Sequence, residues 1–129
     1  MGKSITLDAG ALIAGDKGGR EFWRLWKDLD EDDDTVTVPA LVVAQAWRGG
    51  ASSARLSIIL KGCTVDEGFT EEFAKSVGRL LGVSKTKDIV DAAVVLGAIS
   101  RGDTVFTSDP TDIEHLAANA GAGVEIVKL

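Results

Sequence analysis

A chain of 129 residues, 45% apolar and 26% charged, is long enough to bury a core and too short for two, so a single domain over residues 1–129 is expected. Its formal net charge of −6 and pI near 4.7 exclude a protein that coats nucleic acid by bulk charge alone. With one cysteine, Cys63, and one histidine, His115, an internal disulfide, a zinc cluster and a histidine-built metal site are excluded as well.

The opening "MGKSITLDAG" lacks the long apolar stretch of a secretory signal, and no apolar run approaches a membrane span; a cytoplasmic protein with no membrane partner is expected. "KSITLDA" reads as a short apolar strand that ends at Asp8. "GREFWRLWKDL" sets Phe22, Leu25, Trp26 and Leu29 at helical spacing, with Trp23 off that stripe. The block "DLDEDDD" reads as a solvated loop without chemistry. "TVTV" is a β-branched strand, and Pro39 then opens a helix through Trp47, which is expected to be buried beside Val43 and Ala44. From Thr35 to Val65 there is no acid, while Arg48, Arg55 and Lys61 are basic. "SSARLSIILKG" predicts a helix with serine caps and a closing glycine. In the small strand "CTVDE", Cys63 reads as a core residue rather than a nucleophile. "TEEFAKSVGRLLG" is amphipathic, with Thr70 as its N-cap and Gly82 as its stop. A helix over Thr86–Ser100, a strand "DTVFTSD", a helix "TDIEHLAANAG" and a last strand "VEIVKL" complete the chain.

Strands alternating with helices imply a parallel sheet covered on both faces. "GDKGGR" matches neither the phosphate-cradling loop nor the dinucleotide fingerprint, which argues against a nucleotide-binding doubly wound protein. Ligands of open parallel sheets bind beyond the carboxyl ends of the strands. Asp8 and Asp109 stand at two such ends, and Asp88 and Asp91 lie at the head of the otherwise apolar helix that runs back into the second strand. Taken singly, each aspartate reads as a cap or turn residue, because acids suit helix N-termini. Together, Asp8, Asp88, Asp91 and Asp109 would repel one another unless protons or a cation intervened. Oxygen-only ligands suit a hard ion such as Mg²⁺ or Mn²⁺, and the matching reaction is phosphodiester hydrolysis.

With "TLDAGALIA", "VPALVVAQAWR", "DIVDAAVVLGA" and "TSDPTDIEHLA" in this order, the chain resembles PIN domains over essentially its whole length, and in particular VapC-type toxins of toxin-antitoxin pairs. The resemblance implies a three-layer α/β/α sandwich around a central parallel sheet. It also implies an acidic cluster that binds Mg²⁺ or Mn²⁺ and cleaves RNA, a cognate antitoxin, and a homodimer. Carried over by position, Asp8, Asp91 and Asp109 are the catalytic, metal-holding acids, with Gln45, Asp112 and Thr107 in supporting places. The chain departs from the family pattern at Gln45, where a glutamate is usual, and at Gly10, where a serine or threonine is usual. An amide offers oxygen without charge, and Asp88 as a further ligand would restore the charge missing at Gln45. Lys85, Lys87, Arg48 and Arg55 are the candidates to hold RNA phosphates. Trp23 and Trp26, with Phe22, mark a face for an antitoxin segment or second subunit, or else a second core contact. The competing reading is a catalytically weakened or inactive PIN-like module that binds RNA or protein. A flap-type DNA nuclease is disfavoured because no long insertion is present to thread a DNA end.

Overall fold

The computed structural model describes residues 2–129. Five short strands, β1 (Ser4–Leu7), β2 (Thr35–Pro39), β3 (Thr64–Asp66), β4 (Thr104–Thr107) and β5 (Ile126–Lys128), form one sheet in the order β3-β2-β1-β4-β5. Every strand pair is parallel. A parallel pair needs a crossover, and helices supply it each time. The helices are α1 (Ala9–Asp16), α2 (Arg20–Lys27), α3 (Ala40–Ala46), α4 (Ala54–Lys61), α5 (Glu71–Ser84), α6 (Ile89–Arg101) and α7 (Pro110–Ala120). Helix α1 packs against α2, α3 and α4, while α5, α6 and α7 pack against one another, so the sheet lies between two helical layers. The parallel α/β/α architecture read from the sequence is therefore the one observed.

Side chains alternate across a strand, and this alternation decides which layer each residue meets. Ile5 and Leu7 share an apolar pocket with Phe22 and Trp26 of α2. Thr6 faces the other way and donates to Asp103 Oδ2 at 2.8 Å. Helix α6 is buried on nearly all sides by Ala92, Ala93, Val94, Val95, Gly97 and Ala98, which explains why no charge follows its first turn until Arg101. One guanidinium ties this layer to the sheet. Arg101 donates through Nε to Asp103 Oδ2 and through a terminal nitrogen to Asp66 Oδ2, both at 2.9 Å, and reaches Thr6 Oγ1 at 3.1 Å.

Four sequence expectations need correction. Helix α1 was not anticipated: "AGALIAGD" is apolar on almost every side and carries two glycines, so it shows no amphipathic period. Gly82 does not stop α5, which runs to Ser84 and ends at Lys85 in the left-handed region at φ 58°. The serines before α4 do not cap it; Ser53 Oγ instead accepts from Arg48 N and Gly49 N and holds the preceding turn. Trp47 is 42% exposed, because α3 ends at Ala46 and residue 47 turns extended, leaving the face that carries Val43.

Gly15 marks the closest approach among α1, α2 and α4. A Cβ there would lie 2.7 Å from both Ile59 Cδ1 and Phe22 Cε1. Gly15→Ala is expected to lower stability in urea unfolding by about 1–3 kcal/mol through overpacking, despite the better helix propensity of alanine. A stabilised variant would show that the three helices have room to spare.

Candidate active site

Three helix N-termini meet at the carboxyl edge of the central strands. Asp8, in extended conformation after β1, caps α1 by accepting from Ala11 N at 2.8 Å. Asp88 caps α6, accepting from Asp91 N at 3.0 Å. Asp109 caps α7, accepting from Thr111 N at 3.3 Å, with Pro110 following at the first helical position. Capping thus accounts for one oxygen of each of these three aspartates. It does not account for Asp91 or Asp112, which stand inside the first turns of α6 and α7.

The alternation of β1 continues through Asp8, so its carboxylate lies on the α6 side of the sheet with Thr6. Because Leu7 pairs with Phe106, Thr107 comes beside it. Asp8 is 5% exposed. Burial raises its pKa and the charge of Asp109 raises it further, while hydrogen bonding from Thr107 and the Ala11 and Gly10 amides pulls it back. Asp91 is perturbed more strongly. Burial comes first, then repulsion from Asp88, Asp8 and Asp112, and together they lift its carboxyl to about 7. Two helices and a strand therefore bring Asp8, Asp88, Asp91 and Asp112 within electrostatic reach of one another, with Asp109 acting on Asp8.

Among the described residues, no three carboxylate, histidine or cysteine groups draw close enough to enclose an ion by themselves. Mg²⁺ does not require such a cage: it keeps several waters and takes one or two carboxylates, leaving positions for phosphate. Half-buried Asp91, raised to about 7 by burial and by the charges of Asp88, Asp8 and Asp112, is the donor such an ion would relieve. The donor set fits.

The other predicted positions divide. Lys85 and Lys87 are exposed in the turn that leads into α6, beside the acids. Lys85 holds a left-handed conformation that favours glycine, so the chain keeps a cation there at an energetic cost. Arg48 turns back on its own backbone, donating to Trp47 O at 2.8 Å, and Arg55 reaches Asp16 O at 3.2 Å; neither is directed at the acids. Gln45 is exposed in the last turn of α3. Thr107 is fully buried, its hydroxyl accepting from Asp109 N at 3.1 Å.

Sequence reasoning passed over Ser108. A Cβ at Gly10 would collide with Ser108 Oγ and stand 3.5 Å from Asp8 Oδ1. A hydroxyl thus occupies the space that Gly10 leaves open, supplied from the turn after β4 instead of from α1. The only signal was its place between Thr107 and Asp109.

No family model and no curated protein matches the sequence. Solved structures do match. A chain of VapBC2 from Rickettsia felis, bound to a DNA fragment from their promoter, superposes with a TM-score of 0.73 at 14% identity over 98% of each chain. The fold is PIN-like. PAE2754 from Pyrobaculum aerophilum gives a TM-score of 0.63 at 20% identity, covering 98% of this chain and 92% of that one. FitAB bound to a DNA fragment gives 0.64 at 16% identity, covering 96% and 94%. At these identities the PIN-like fold is what the chains share. Among the described residues no helix is long and apolar enough to cross a membrane.

Proposed function

We propose that this PIN-like protein is a Mg²⁺- or Mn²⁺-dependent endoribonuclease that hydrolyses RNA phosphodiester bonds, the toxin member of a toxin-antitoxin pair. The observation that carries the reading is Asp91. A half-buried carboxyl raised to about 7 by burial and by Asp88, Asp8 and Asp112 is a burden on the fold, and three N-caps do not need it. A strongly perturbed carboxyl at the carboxyl edge of a parallel sheet supports a working site there. The fold shared with VapBC2 and FitAB agrees with the VapC-type resemblance of the sequence and supports the reading of an antitoxin partner.

Asp8 and Asp91 would hold the ion, with Asp88, Asp109 and Asp112 adding negative charge around it. Bound there, a divalent cation offsets charge on the phosphate and lowers the pKa of the attacking water. Asp8 would be oriented for this by its Ala11 contact. Lys85 and Lys87 hold flanking phosphates and offset the repulsion RNA meets at an acidic edge. Ser108 places a hydroxyl close to Asp8. Exposed Val83 and Ile89 flank the lysine turn and suit a protein surface, either an antitoxin or a second copy in a homodimer.

The test is cleavage of labelled single-stranded RNA with Mg²⁺, with chelator, and by Asp91→Asn. Cutting should require the ion and fall at least about 100-fold in the variant. Folded wild type that shows no Mn²⁺ affinity by calorimetry would sink this reading and leave the PIN-like binding module in its place.

A further inference from the structure

Away from the acids, the turn after α1 at Gly18, helix α2 and the start of α4 border a groove of about 680 Å³. Arg20, Arg24, Lys27 and Arg55 line it, with Asp28 as the one acid and Trp23 in its wall. Four cations around one groove are out of keeping with a chain of net charge −6. The fold uses them only in part. Arg24 pairs with Glu21 and Arg55 bonds to Asp16 O, while Arg20 and Lys27 make no ion pair among the described residues. Trp23 is held in place: its Nε1 donates to Gly15 O at 2.9 Å, and its ring meets Phe22 edge-on with centroids 5.5 Å apart. A fixed indole beside free cations is the combination that single-stranded nucleic acid uses, phosphates on the cations and a base against the ring.

We propose that this groove is a second RNA subsite, which receives single-stranded RNA a few nucleotides from the bond that is cut. The proposal rests on the nuclease reading above. Helix α1 connects the two places, with Asp8 at its head and Gly18 just beyond its end. Eight helical residues span about 12 Å, a length that a short stretch of single strand bridges. An acidic polypeptide would also suit these charges; RNA is the occupant proposed because phosphates and a stacked base together use both the cations and the indole, and displacement by polyglutamate separates the two.

The experiment follows fluorescence anisotropy of a labelled uridine dodecamer in chelator, over a salt titration. The proteins compared are wild type and the exposed pair variant Arg20→Ser/Lys27→Ser, each checked for fold by circular dichroism. At about 50 mM salt the pair variant should bind tenfold or more weakly, and its log K against log salt should be shallower by about 1.4, as two lost phosphate contacts require. Equal binding by wild type and the pair variant overturns the proposal, as does no binding by wild type. Displacement of RNA by polyglutamate of equal charge as readily as by RNA overturns it too, assigning the groove to an acidic protein. Failure of the nuclease reading looks different: no Mn²⁺ binding or cutting, with RNA affinity present and still lost in the pair variant.

Discussion

Asp91→Asn is expected to melt above the wild type at pH 8 while losing Mn²⁺ affinity by about 100-fold or more. Both effects have one cause. In the folded chain Asp91 titrates at about 7, against an ordinary value of 3.8, because of burial and the charges of Asp88, Asp8 and Asp112. Between those values the folded state holds a proton that the unfolded chain has released. Stability contributed by the protonated form is therefore lost as pH rises from about 4 to about 7, and the penalty is complete above that. Asparagine removes the charge and with it the penalty. The side chain is half exposed, so solvent screening holds the gain to roughly 1 kcal/mol, which is a few degrees in a chain of this size. At pH 5 the two proteins should melt nearly together. Added Mn²⁺ should raise the wild-type melting temperature at pH 8, less at pH 5.5 where protons compete, and leave the variant unmoved. A variant that melts lower than wild type at pH 8 would show that Asp91 serves the fold after all.

Arg101→Ala should be the most damaging single change away from the acids, lowering stability by about 3–5 kcal/mol and the melting temperature by more than about 10 °C. Asp103 is 7% exposed, and it receives Arg101 Nε at 2.9 Å and the Thr6 hydroxyl at 2.8 Å. Truncating the arginine strands a buried charge and releases Asp66, at the end of the three-residue edge strand β3. The double variant Arg101→Ala/Asp103→Ala should recover part of the loss, because no uncompensated carboxylate remains. Thermal melts of the four proteins in that cycle give the coupling directly. A single variant within about 0.5 kcal/mol of wild type, the scatter of surface substitutions, would mean that water replaces the guanidinium without difficulty.

Much of the architecture was legible in the chain. Alternation of β-branched strands with helices announced the parallel sheet, and the long apolar run after Asp91 announced a helix buried on nearly every side. Acids at the ends of β1 and β4 announced the edge at which carboxylates gather, the edge parallel sheets offer to ligands. These features are local patterns of polarity, which the chain carries whatever its neighbours do. What lay beyond the sequence depended on where each helix begins and ends and on how the strands register. Asp112, rather than Asp109, is the α7 acid that acts on Asp91, while Asp109 acts on Asp8. Trp47 reaches solvent because α3 stops one residue short of it. Ser108 fills the space beside Gly10, and Arg101 spans three separate segments. By itself the sequence determined the layers and the edge at which the acids gather, since burial on both faces is written as apolar runs; only the tertiary structure decided which acid faces which, because a shift of one residue in a strand or a helix end redirects every side chain that follows.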